Sequence, residues 1–116
     1  MLSTLSLATL IIAYDPGGVV SEYEAKAKMV LETQTRVEII GDCYSACTLF
    51  ADRARPNVCV TPDTRFYIHQ ATEVSTGRRS PVEYSPDLQS YIGEQPTDGW
   101  LLLTYDDLTN FWSTCK

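Results

Sequence analysis

Basic residues are scarce in this chain. Nine Lys and Arg stand against fifteen Asp and Glu, a net charge of −6, which repels a phosphate backbone and leaves no basic stripe for one to follow. Nucleic acid is therefore not expected as a partner. Long apolar runs are missing as well: no stretch of about 18 consecutive apolar residues occurs, so no membrane-spanning helix is expected. Histidine occurs once, at His69, and a lone histidine is more often a structural residue than a catalytic one. Cysteine is limited to Cys43, Cys47, Cys59 and Cys115, too few for a scaffold built on disulfides, although the even number permits two bridges or one metal site. Neither an internal repeat nor a low-complexity tract is visible.

What remains is an ordinary globular composition. The 116 residues are 44% hydrophobic and 21% charged, enough for one compact domain over residues 1–116 and too few for two. The opening stretch Met1 to Ala13 is apolar. It has no basic residue ahead of its hydrophobic run and no clear small-x-small cleavage site, so it reads as structure, with an export signal as the lesser alternative.

Periodicity along the chain alternates between strand and helix. Leu5 to Tyr14 is nearly continuous apolar sequence ended by Asp15-Pro16-Gly17-Gly18, the pattern of a central strand buried on both faces. Val20, Tyr23, Ala27 and Val30 or Leu31 then recur at helical spacing, which predicts a helix over Val19 to Gln34. A strand is expected over Arg36 to Gly41 and a helix over Tyr44 to Ala54. Val58 to Val60 and Arg65 to His69 read as further strands. Ala71 to Gly99 reads as a long surface excursion with at most a short helix near Pro86 to Ile92. A last helix is expected near Thr104 to Trp112, where Thr104 is a candidate cap and Asp106 and Asp107 lie in the first turn. This order implies an α/β fold with βα repeats and a mostly parallel sheet.

Three short segments could carry chemistry. Glycines in Asp15-Pro16-Gly17-Gly18 supply unusual dihedrals for a strand-to-helix turn, or leave free N–H groups facing a developing anion. Ser45, in Cys43-Tyr44-Ser45-Ala46-Cys47, is placed to cap a helix or to act as a nucleophile at its start. The Gly-x-Ser-x-Gly elbow of the α/β-hydrolases is not spelled here. His69 ends a strand-like segment. In a parallel sheet the strand ends before Gly17, before Ser45 and at His69 converge on one edge, where such folds place their sites.

Taken together, Tyr14-Asp15-Pro16-Gly17-Gly18, Cys43-Tyr44-Ser45-Ala46-Cys47-Thr48-Leu49 and Phe66-Tyr67-Ile68-His69-Gln70-Ala71 resemble the ClpP-like serine protease family of the ClpP/crotonase superfamily. The Cys-x-Ser-Ala-Cys-Thr variant is most similar to ClpP-like proteins thought to be periplasmic. The likeness covers about Ile11 to Ala71. It implies a serine hydrolase, specifically a peptidase acting on peptide or protein substrates without a cofactor. Ser45 would be the nucleophile, His69 the general base, and the Gly18 and Ala46 N–H groups the oxyanion hole. Asp98 is the nearest candidate for the third member of a catalytic triad.

The likeness has gaps. The family's first strand and helix units have no counterpart before Asp15, so a truncated ClpP/crotonase-like fold is expected. The Ala71 to Gly99 excursion is also shorter than the family's handle helix. Neither an ATPase partner nor stacked rings are therefore expected, while a homo-oligomer stays open. The alternative to an enzyme is a catalytically inactive ClpP-like binding or interaction module.

The cysteines leave two readings. If the helix has already begun at Cys43, a Cys43 to Cys47 bond needs local distortion, and pairing of either with Cys59 or Cys115 is the expectation. Such bridges would suit an oxidising compartment, periplasmic or extracellular. The rival is zinc on Cys43, Cys47, Cys59 and His69, whose spacing matches no recognised framework; no metal is expected.

Overall fold

A computed structural model describes residues 8–116. Eight strands and four helices alternate along it: β1 (Thr9–Asp15), α1 (Val20–Thr33), β2 (Arg36–Tyr44), α2 (Ala46–Arg53), β3 (Val58–Val60), β4 (Arg65–Ile68), β5 (Ala71–Thr72), β6 (Arg79–Ser80), α3 (Pro86–Ile92), β7 (Leu101–Leu103), α4 (Tyr105–Leu108) and β8 (Ser113–Thr114). The Leu5 to Leu7 part of the expected first strand, and the start of the Met1 to Ala13 segment, lie outside the described residues.

β2 is the spine. One of its edges pairs in parallel with β1, and the other pairs first with β3 and then, further along, with β4. Thr64 makes the hand-over possible. Its buried hydroxyl donates to the Ile39 carbonyl in the gap between β3 and β4, so that backbone group is not stranded. β8 extends the sheet in parallel beyond β3, and β7 closes the far side antiparallel to β4.

The fold is therefore α/β with a curled, mixed sheet: among the described residues β7 runs antiparallel to β4, whereas the other four pairings of the sheet are parallel. The physical reason is the length of the last connections. A parallel neighbour for β4 needs a crossover that carries the chain back to the other end of the sheet. The loop at residues 93–100 instead delivers Leu101 beside Ile68, at the end where β4 finishes, and β7 runs back along it. A separate antiparallel ribbon, β5 with β6, occupies part of the expected surface excursion.

β1 also departs from expectation. It pairs only with β2 and is mostly exposed, with Leu10, Ile11 and Tyr14 at 43%, 58% and 64% exposure. An unbroken apolar run does not distinguish a strand buried on both faces from an edge strand whose outer side is bare. The register of β1 on β2 shifts between Ile12 and Tyr14, where a β-bulge on β2 brings Gly41 against β1. A Cβ at Gly41 would lie 2.0 Å from the Ala13 carbonyl oxygen, so this position takes only glycine.

The core lies on one face of the sheet. Val37, Ile39, Cys43, Phe66 and Ile68 alternate inward and are fully buried, meeting Tyr23, Ala27 and Val30 of α1 and nearly the whole of α2. Trp112 packs edge-on against Phe66 at 4.9 Å and donates its indole N–H to the Ala51 carbonyl at 2.9 Å. α3 is tied to α2 by a polar cluster. Asp52, 5% exposed, accepts from the Ser85 N–H and hydroxyl and pairs with Arg55 at 2.6 Å, and Arg55 also reaches Asp87. The expected last helix shrinks to the single turn of α4, capped by Thr104 and Asp107 in a reciprocal box.

Candidate active site

The parallel register of β1, β2 and β4 decides which residues meet. Asp15 lies opposite Cys43, and Tyr44 lies opposite Tyr67, so the chain leaves all three strands at one edge of the sheet. The Ser45 N–H adds one more rung by donating to the Tyr67 carbonyl at 2.8 Å. Two residues after Tyr67 comes His69, and its Nε2 lies 3.2 Å from the Ser45 Oγ. Ser45 and His69, 24 positions apart in sequence, are thus within hydrogen-bonding reach.

Ser45 occupies an unusual backbone conformation, φ 55° and ψ −118°, between the end of β2 and the start of α2. A non-glycine residue there is strained by about 1 to 3 kcal/mol and persists only where its surroundings impose it. Three features do so. The Ser45 carbonyl accepts from both the N–H and the hydroxyl of Thr48, the latter at 2.6 Å, and that hydroxyl also meets the buried Tyr84 hydroxyl. Burial pushes the Tyr84 phenol up to about 12, so it stays neutral. Cys43 and Cys47 form a disulfide that straddles the turn. The Asp15–Gly18 loop packs against the turn from the β1 side.

That loop explains its glycines. Gly17 has φ 84°, and a Cβ on it would lie 2.6 Å from the Tyr44 carbonyl oxygen and 3.0 Å from the Ser45 Cβ. The Asp15 carboxylate holds the loop by accepting from the Gly17 N–H at 2.9 Å and from the Tyr23 hydroxyl at 2.7 Å. Burial, together with this carboxylate, raises the Tyr23 phenol to about 12. Among the described residues, neither the Gly18 nor the Ala46 N–H is taken up by a turn or cap hydrogen bond. Gly18, Val19, Ser45, His69, Ala71 and Val74 line a cleft of about 600 Å3. A second cleft, of about 660 Å3, lies at the other end of the strands among Gln34, Arg36, Asn57 and Lys116. No serine and histidine meet there.

His69 has its pKa lowered from the ordinary 6.5, first by burial and then by the positive charge of Arg79. The imidazole is accordingly neutral near pH 7 and able to take a proton. Asp98 is exposed, and among the described residues no carboxylate is hydrogen-bonded to His69. What does meet the imidazole is Trp100, at 4.0 Å between ring centroids. The signal for this residue in the sequence is slight: a tryptophan placed directly after Asp98-Gly99.

The cysteines pair differently from expectation: Cys43 with Cys47, and Cys59 with Cys115. The reason is where the helix starts. Cys43 is still in β2, α2 begins at Ala46, and the left-handed Ser45 turns the chain so that the two Cα atoms are 5.4 Å apart, inside the range a disulfide spans. With all four thiols oxidised, no thiolate is left for the zinc alternative. Two disulfides are consistent with an oxidising environment. Among the described residues no helix is long and apolar enough to cross a membrane.

No protein-family model matches the chain, and no curated protein matches it.

Proposed function

We propose that this chain is a serine hydrolase, specifically a ClpP-like peptidase working in an oxidising compartment outside the cytoplasm. The observation that carries the reading is the 3.2 Å contact between Ser45 Oγ and His69 Nε2, made by a serine in a strained strand-to-helix turn that opens into a cleft. Structural serines and histidines do not need such a turn; nucleophiles presented to a substrate do.

The chemistry follows from the placement. A substrate carbonyl enters the cleft beside Ser45. Ser45 Oγ attacks the carbonyl carbon while His69 Nε2 takes the hydroxyl proton, and the negative charge collects on the substrate oxygen. The Gly18 and Ala46 N–H groups are the donors assigned to that oxygen. The protonated imidazole then gives its proton to the leaving amine as the C–N bond breaks. Water, deprotonated by the same nitrogen, releases the acyl group and restores Ser45.

The fold class supports this reading only at the level of strand order, since a parallel β1, β2 and β4 arrangement with loops at one edge hosts many chemistries. A second reading has its own support. The absence of a carboxylate on His69 among the described residues suits a binding module that keeps the site's shape without turnover.

A fluorophosphonate probe separates the two. The hydrolase reading expects covalent labelling of the wild type, loss of it in Ser45→Ala, and a large reduction in His69→Ala. A folded wild-type protein that stays unlabelled favours the binding module.

A further inference from the structure

The group that packs on the His69 imidazole is an aromatic ring. Trp100 lies against the His69 imidazole with ring centroids 4.0 Å apart and planes tilted by 39°. The indole is itself braced. Tyr44 meets it at 5.2 Å and 76°, and Tyr67 at 6.3 Å and 82°. These two tyrosines face each other across β2 and β4 and stack at 4.1 Å and 7°. The imidazole, the indole and the two phenols form one continuous aromatic block rooted in the strands that carry Ser45 and His69.

The backbone leading to Trp100 is pinned at several points. The Gln70 N–H donates to the Pro96 carbonyl at 3.0 Å, and the Arg79 guanidinium donates to the Thr97 carbonyl. Gln95, only 3% exposed, exchanges hydrogen bonds with both backbone groups of Val82. Gly99, at φ 71°, then turns the chain, and Leu101 begins the pairing with Ile68. The indole, by contrast, is 46% exposed. The backbone before this residue is thus fixed while its side chain is half exposed, and of its three aromatic neighbours the imidazole is the nearest.

We propose that Trp100 is a positioning residue for His69, its indole face fixing the imidazole plane so that Nε2 stays on the Ser45 hydroxyl. The inference rests on the hydrolase reading above. It assigns to a ring face the orienting role for which Asp98 was the sequence candidate. Aromatic pairs of this kind are worth about 3- to 10-fold in an equilibrium, and that is the loss expected when the ring is removed.

The test compares second-order fluorophosphonate labelling rates for the wild type, Trp100→Leu and Trp100→Phe. Leucine keeps apolar bulk without a ring face, whereas phenylalanine keeps a ring face. The expected result is a rate about 3- to 10-fold lower in the leucine variant and recovery of most of it in the phenylalanine variant, each read where all three proteins are folded. A leucine variant that labels as fast as the wild type overturns the proposal and leaves the hydrolase reading standing. So do two variants that are equally slow, because a ring face would then fail to restore what leucine lost. An unlabelled wild type overturns the hydrolase reading and this inference with it.

Discussion

The Cys43–Cys47 disulfide offers the sharpest separation between stability and chemistry. The perturbation is the double substitution Cys43→Ala/Cys47→Ala, with Cys59→Ala/Cys115→Ala as its counterpart. The two bridges close loops of very different length, with sequence separations of 4 and 56. On the chain-entropy account the short bridge is worth about 2 kcal/mol and the long one about 4 kcal/mol. If bridges mattered only for folding, removing the long one would do more harm to every property. The short bridge, however, straddles Ser45, whose backbone sits at φ 55° and ψ −118°. Releasing a residue strained by about 2 kcal/mol lets it relax and lowers the population of the productive turn by about 30-fold. The hydrogen bonds from Thr48 to the Ser45 carbonyl remain, so the loss falls short of complete. The assay is urea unfolding paired with the fluorophosphonate labelling rate, the latter measured where all proteins are folded. The expected pattern is crossed: the short-bridge variant is the more stable of the two and the slower to label. A short-bridge variant that labels at the wild-type rate refutes the claim that the disulfide holds the turn.

Three further outcomes follow from the geometry. Labelling should rise with pH and level off, with its midpoint below 6.5, because burial and the Arg79 charge favour the neutral imidazole. Protonation of His69 is easier in the unfolded chain, so its contribution to stability declines as pH falls through that range. Arg79→Gln should move the midpoint upward, while a midpoint above 6.5 in the wild type would contradict the burial of the ring. Gly17→Ala should reduce both stability, by at least about 1 kcal/mol, and labelling, since the added methyl meets the Tyr44 carbonyl and forces a residue at φ 84°. A neutral effect in unfolding and labelling would show that the loop does not press on the Ser45 turn. Asp52→Asn should lower stability by about 2 to 3 kcal/mol in denaturant unfolding, below the full cost of breaking a buried pair, because Arg55 keeps Asp87 and is 24% exposed. The labelling rate of the folded variant should not change.

Much of the site was legible in the sequence because it depends on order and strand direction. Parallel strands that end before Gly17, before Ser45 and at His69 must finish at one edge, and no side-chain detail is needed to see it. The parts that escaped depend on local backbone and on partners remote in sequence. The disulfide pairing turned on whether a helix had begun at Cys43, and a left-handed serine has no signature in composition. Leu101–Leu103 and Ser113–Thr114 are too short to show a period of two, and they become strands only because Phe66–Ile68 and Cys59–Val60 offer open edges. β1 has the composition of a buried strand but lies at the edge. The Asp52, Arg55 and Ser85 cluster joins residues up to 33 positions apart, and Trp100 meets His69 across 31 positions with no motif to connect them.

Peptide mapping by mass spectrometry after fluorophosphonate treatment tests the central claim most directly, because it reports which atom reacts. The account predicts a single adduct on the peptide that contains Ser45, formed in the oxidised wild-type protein and strongly reduced in His69→Ala over the same interval. An adduct on any other serine, or none on a folded protein, would contradict it.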